Sequence, residues 1–263
     1  VAQRTTRQWI TAIFSVIISL AFLGASFAPL ISSLLAPPNP RPQPQATNLS
    51  ETEKIKLEIA SFEKVLAKEP TNQFALQNII ELRNQIGDIK GTIEPLKTLA
   101  NAYPEQTKYR LSLARTYQQL QETDKAVTEY RNVLSIEPGN LNALKQLVDI
   151  ELSLGRPNNA IDLLLEAISK SEEANKIKPN TVDIASVRLF LGDTYLQLKR
   201  FDEAEAAYRA VQEADPKDFR PILGQAFVRR EQKAEEEAQK LFAEAKELAP
   251  EVFKERIAEL AKP

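Results

Sequence analysis

The chain of 263 residues has no cysteine and no histidine. That excludes a disulfide framework, leaves no thiolate or imidazole to ligate a metal, and removes Cys and His as nucleophile or base. Glycine is scarce, and the seven that occur form neither GxGxxG nor GxxxxGK, so no loop built to cradle phosphate is present. Neither sign of charge dominates: 34 basic and 36 acidic side chains leave a formal net charge of −2, which gives nucleic acid no electrostatic footprint. Carboxylates such as Glu235, Glu236 and Glu237 fall on a solvated helix face, with no acid/base or metal spacing. We therefore expect no catalytic residue, no metal, no cofactor and no enzymatic activity.

The charges that are present divide at Glu51. Residues 1–50 hold Arg4, Arg7 and Arg41 and no acid, which leaves 31 basic against 36 acidic residues in the remainder. After a basic flank (1–8), Trp9 to Ala28 is a run of twenty uncharged residues, enough as a helix to cross roughly 30 Å of hydrocarbon. We expect a single-pass membrane anchor over 9–36. The alternative is a cleaved signal peptide on a secreted or periplasmic module. It fits less well, because the run exceeds the usual signal core of about 7 to 15 residues and the best small-x-small site puts Pro29 just after the cut. Pro37, Pro38, Pro40, Pro42 and Pro44 then favour an extended, semi-rigid linker over 37–50.

Within Thr107 to Pro138, Leu113, Ala114 and Tyr117 share one helical face, and Ala126, Tyr130 and Val133 share another. The alanines allow close approach, the tyrosines fill the space beside them, and Pro138 ends the second helix. Leu191, Gly192, Tyr195, Ala204, Tyr208, Val211 and Pro216 stand at the same seven offsets in Ala185 to Pro216. Prolines keep the same time: Pro70, Pro104 and Pro138 are 34 apart, as are Pro216 and Pro250. This pattern resembles the tetratricopeptide repeat. The resemblance implies an all-α fold, a right-handed superhelical solenoid of helical hairpins over 51–263, with about five repeats and capping helices after an N-terminal transmembrane helix.

The remaining units depart from the pattern in informative ways. Glu51 to Lys68, with Phe62 and Val65 in core places, reads as an unpaired half repeat capping one end. Gln73 to Pro104 is degenerate, with Arg83 and Thr92 where an aromatic residue and alanine are usual, and Pro95 requires its helix to begin near Thr92. The repeat from Leu141 lacks a proline on time; Pro179 comes seven residues late, so its second helix should run on by about two turns. Glu251 to Ala261 should close the other end with Val252, Phe253, Ile257 and Leu260.

In this family the first helices line a concave groove that holds peptides or protein surfaces. Carried over by offset, the groove residues are Lys108, Leu111 and Arg115; Asn142, Lys145 and Asp149; Leu189, Asp193 and Leu196; and Leu223, Phe227 and Arg230. Asp149 stands where a carboxylate clamp would need Asn, so a chaperone-tail specificity is not expected. The last third, with the anchor and the lengthened helix, is similar to the Slow Green type of chloroplast tetratricopeptide protein and its cyanobacterial relatives. That likeness implies a scaffold or assembly factor in a thylakoid or plasma membrane, with protein partners drawn from a photosynthetic membrane complex or its assembly intermediates.

Overall fold

Twelve α-helices follow one another from Ser50 onward in a computed structural model that describes residues 49–262, and no strand occurs among the described residues. The basic flank, the uncharged run Trp9 to Ala28 and the proline-rich segment lie outside the described residues. No helix among those described is long and apolar enough to cross a membrane.

The array opens with α1 (Glu51–Leu66), and five hairpins follow. Their first helices are α2 (Gln73–Gln85), α4 (Lys108–Gln119), α6 (Leu141–Ser153), α8 (Ile184–Gln197) and α10 (Phe219–Glu231). Their second helices are α3 (Ile93–Ala102), α5 (Thr123–Ile136), α7 (Pro157–Ile177), α9 (Phe201–Ala214) and α11 (Glu235–Leu248), and α12 (Glu251–Leu260) is the last described helix. Each helix packs chiefly on its neighbours in sequence, as a solenoid requires.

Polar residues set the helix starts. Ser50 and Glu53 form a reciprocal capping box on α1, with Glu53 N–H donating to Ser50 Oγ at 3.3 Å and Ser50 N–H donating to Glu53 Oε2 at 2.7 Å. Asn72, Asn140, Asp183 and Asp218 cap α2, α6, α8 and α10 by accepting from backbone amides two or three residues on. The prolines set the stops: Pro104, Pro138, Pro216 and Pro250 each stand two residues beyond a second helix.

Inside each hairpin the turn is the same left-handed residue, which satisfies the carbonyls at the end of the first helix. Gly87, Gln121, Gly155, Lys199 and Lys233 have φ of 74, 62, 69, 58 and 64°. The amide that follows each one bonds back five residues, as in Glu122 N–H to Tyr117 O at 2.9 Å and Arg200 N–H to Tyr195 O at 2.9 Å.

The expected small and large residues make the core. Ala126, Tyr130 and Val133 are each 0% exposed, and Ala204, Tyr208 and Val211 are at most 1% exposed. The ring of Tyr208 lies between two glycines; a Cβ on Gly192 or on Gly224 would come within 2.5 Å of its Cε1.

At both ends the packing differs from the sequence expectation. α1 buries Ile59 and half-buries Ile55, Phe62 and Leu66 against Ile79, Leu82 and Ile86, whereas Val65 points outward at 39% exposure. α12 covers the last hairpin through Ile257 and Leu260, and Phe253 meets Phe219 with ring centroids 5.5 Å apart. Val252 is 78% exposed and covers nothing. A helix packed on one side has a single buried stripe, and these outward residues fall off it.

The late proline marks a longer helix. α7 has 21 residues where α5 and α9 have 14, and its extra turns are tied back onto the array. Asn175 donates to Val182 O and accepts from Thr181 N–H and Val182 N–H, all within 3.0 Å. The loop so formed presses Val182 onto Gly139, where a Cβ would sit 2.2 Å from a Val182 methyl.

Candidate functional site

The face built by the first helices carries the residues placed there by repeat offset, and packing sorts them into three groups. Lys108, Arg115, Asn142, Lys145 and Asp149 are exposed along α4 and α6. None of the four charged ones forms an ion pair among the described residues. Lys108 lies with its Nζ 4.9 Å from the centroid of the Tyr109 ring. The Tyr109 hydroxyl accepts from Gln73 at 2.5 Å and from Gln77 at 2.7 Å, fixing α4 against α2.

The second group lies on α8. Leu189 and Leu196 are half-buried against the α7–α9 core. Asp193 has one side open to solvent and accepts from the Tyr208 hydroxyl at 2.7 Å. The protein mass around it raises its carboxyl above the usual range, a rise that the Tyr208 bond partly opposes. Burial pushes the Tyr208 phenol up as well, and the neighbouring Asp193 adds to it.

The third group is engaged in packing, Leu111 buried and Leu223, Phe227 and Arg230 half-buried. Leu111 is 8% exposed and belongs to the core with Leu96, Leu113 and Tyr117, so it offers no surface to a ligand. Leu223 and Phe227 pack with Ile257 and Leu260. The Arg230 guanidinium stacks 4.9 Å from the Phe227 centroid and 5.3 Å from that of Phe242, and donates to Leu260 O at 2.7 Å. α12, packed on the last hairpin, takes the stacking surface on which these three residues lie.

The degenerate repeat contributes what the offsets did not reveal. A hollow of about 740 Å³ opens between α2 and α4, with Ile80 and Leu96 among its apolar walls and Gln77, Glu81, Arg115 and Gln119 among its polar ones. Glu81 and Arg115 occupy equivalent places in successive repeats, 34 residues apart, and neither is in an ion pair among the described residues. The visible signal was spacing alone, because Glu81 lies in the unit whose repeat residues are least regular. Amide and charged side chains around an apolar floor can hold an extended peptide, pairing its backbone groups while one side chain is buried.

Comparison with known proteins fits this architecture. A tetratricopeptide repeat family model matches residues 107–140 and 185–218. SLOW GREEN 1, a chloroplastic protein of Arabidopsis thaliana, is 25% identical over 196 residues, which are 74% of this chain and 61% of that protein. Cellulose synthase operon protein C of Pseudomonas fluorescens is 30% identical over 115 residues, 44% of this chain and 9% of that protein. The chain thus spans less than two thirds of either relative. Among solved structures, yeast Tom70 superposes with a TM-score of 0.52 at 17% identity, covering 82% of this chain and 43% of that one, a likeness of fold. The hairpins at 107–140 and 185–218 are tetratricopeptide repeats, set in an all-helical array with the fold of such repeats.

Proposed function

We propose that the first-helix face from α2 to α8 holds a segment of a protein partner, and that the chain is a membrane-anchored assembly factor for photosynthetic membrane complexes. The observation that carries the binding site is the row of exposed, unpaired charges on α4 and α6 beside the apolar hollow between α2 and α4. Lys108, Arg115 and Lys145 favour an acidic, amphipathic segment, with Asp149 and Asp193 marking where acidic residues of the partner would stop. The anchor rests on the uncharged run Trp9 to Ala28, and the photosynthetic setting on the likeness to SLOW GREEN 1, a chloroplastic protein.

Two experiments test this reading. Affinity capture of the membrane-extracted chain should recover partners in a salt-sensitive way, and Arg115→Glu with Lys145→Glu should weaken that capture at unchanged helical circular dichroism. Recovery of the same partners with the same salt dependence would remove the binding face from consideration. In a carbonate wash the chain should stay in the pellet at its uncleaved mass; a soluble product beginning near Pro29 would sink the anchor.

A further inference from the structure

A second hollow, of about 460 Å³, lies between the second helices α5 and α7. Leu147 of α6 floors it, and Leu134 of α5 with Leu163 and Ala167 of α7 line its apolar sides. Leu147 is two residues from Lys145 and two from Asp149, roughly 200° round the helix axis from each. The hollow therefore opens on the side of α6 turned away from the proposed binding face. Leu134 and Leu163 are only half-buried, so apolar surface remains within reach of solvent.

Charge frames this groove in a defined way. Glu166 is held by Lys170 at 2.6 Å, and Glu151 accepts from Asn159 at 3.2 Å. That leaves Arg131 on the α5 wall and Asp162 on the α7 wall, both exposed and neither in an ion pair among the described residues. An extended peptide is a poorer occupant here than in the α2–α4 hollow, because Glu166 is engaged by Lys170 and Asn159 by Glu151, which leaves its backbone amides few free partners. A helix satisfies its own backbone and presents one apolar stripe with a polar edge on either side.

We propose that the α5–α7 groove is a second docking site, whose occupant is a short amphipathic helix of a protein partner, acidic along the edge that meets Arg131 and basic along the edge that meets Asp162. Because it opens away from the first-helix face, both sites can be filled together, and the chain joins two partners.

The test uses the full chain and three labelled helical peptides sharing one leucine stripe: one with a glutamate edge and a lysine edge, one with lysine on both edges, one with glutamate on both. In fluorescence anisotropy the mixed peptide should bind the parent about tenfold tighter than either other. Arg131→Glu makes both walls acidic and should shift the preference to the all-lysine peptide; Asp162→Lys should shift it to the all-glutamate one. Ser135→Phe, at an exposed rim position that lines the groove, should weaken all three; every chain compared, the parent included, carries Arg115→Glu with Lys145→Glu, so that the first-helix face no longer draws acidic peptides. Equal binding of the three peptides by the parent, preferences that ignore the charge reversals, or undiminished binding by the Ser135→Phe chain would each overturn the proposal. So would a dimer of the chain that Ser135→Phe dissociates, since the occupant would then be a second copy.

Discussion

The guanidinium of Arg83 donates to the carbonyl oxygen of Gly91, the acceptor that Pro95, four residues on and without an amide hydrogen, leaves vacant in the first turn of α3. Arg83 also meets Glu63 of α1 at 3.0 Å, so one side chain repairs a helix and ties the capping helix to the first hairpin. Thr92, in the place of the usual alanine, is 1% exposed and bonds Ile89 O at 2.8 Å. The degenerate repeat holds together through polar contacts where its neighbours use an aromatic ring.

Replacing Arg83 with Met should therefore cost about 1–3 kcal/mol, the penalty for leaving a half-buried carbonyl without a donor. In a Pro95→Ala background the loss should be smaller, because an amide returns to Gly91. Urea denaturation of the four chains in a double-mutant cycle measures the coupling; additive losses would mean that the two residues act separately.

Two close contacts set the frame of the repeats. Ala204→Leu should overpack the α8–α9 crossing, and Gly224→Ala should drive a Cβ into the Tyr208 ring. Each should cost ~1–3 kcal/mol. Either variant melting with the parent would show that the crossing yields more readily than its geometry indicates.

The left-handed turns offer the opposite sign. Lys199 and Lys233 adopt φ of 58 and 64°, a conformation that carries a steric cost of about 1–2 kcal/mol for a residue with a Cβ. Glycine removes that cost and adds chain entropy to the unfolded state. Lys199→Gly should therefore stabilise by about 0.5–1 kcal/mol, read as a higher urea midpoint at unchanged slope.

Asp193 should make stability depend on acidity. Its carboxyl titrates above the usual range in the folded chain because the protein around its inner side displaces water that would solvate the charge. The folded state thus holds its proton in a window where the unfolded state has lost it, and stability falls as pH rises through that window. Asp193→Asn keeps an acceptor for Tyr208 and carries no charge. It should raise the melting temperature relative to the parent at neutral pH, by a margin that shrinks below the unfolded carboxylate range. A margin independent of pH would show that this titration does not contribute.

The sequence by itself determined the frame. Small and large apolar residues at helical spacing, with prolines at a fixed interval, suffice for hairpins, because helix period and helix termination are local properties. The length of α7 followed from one late proline on the same ground. Tertiary structure decided what each offset does. Leu111 and Lys145 hold equivalent places, yet one is core and the other surface. Phe227 and Asp193 hold equivalent places, yet α12 covers one and leaves the other open. The left-handed turns occur once in each hairpin, but glycine marks only two of them, since backbone conformation there is imposed by the closing of the hairpin. Exposure is a property of what stacks against a residue, and a repeat's own pattern does not say what its neighbour will bring.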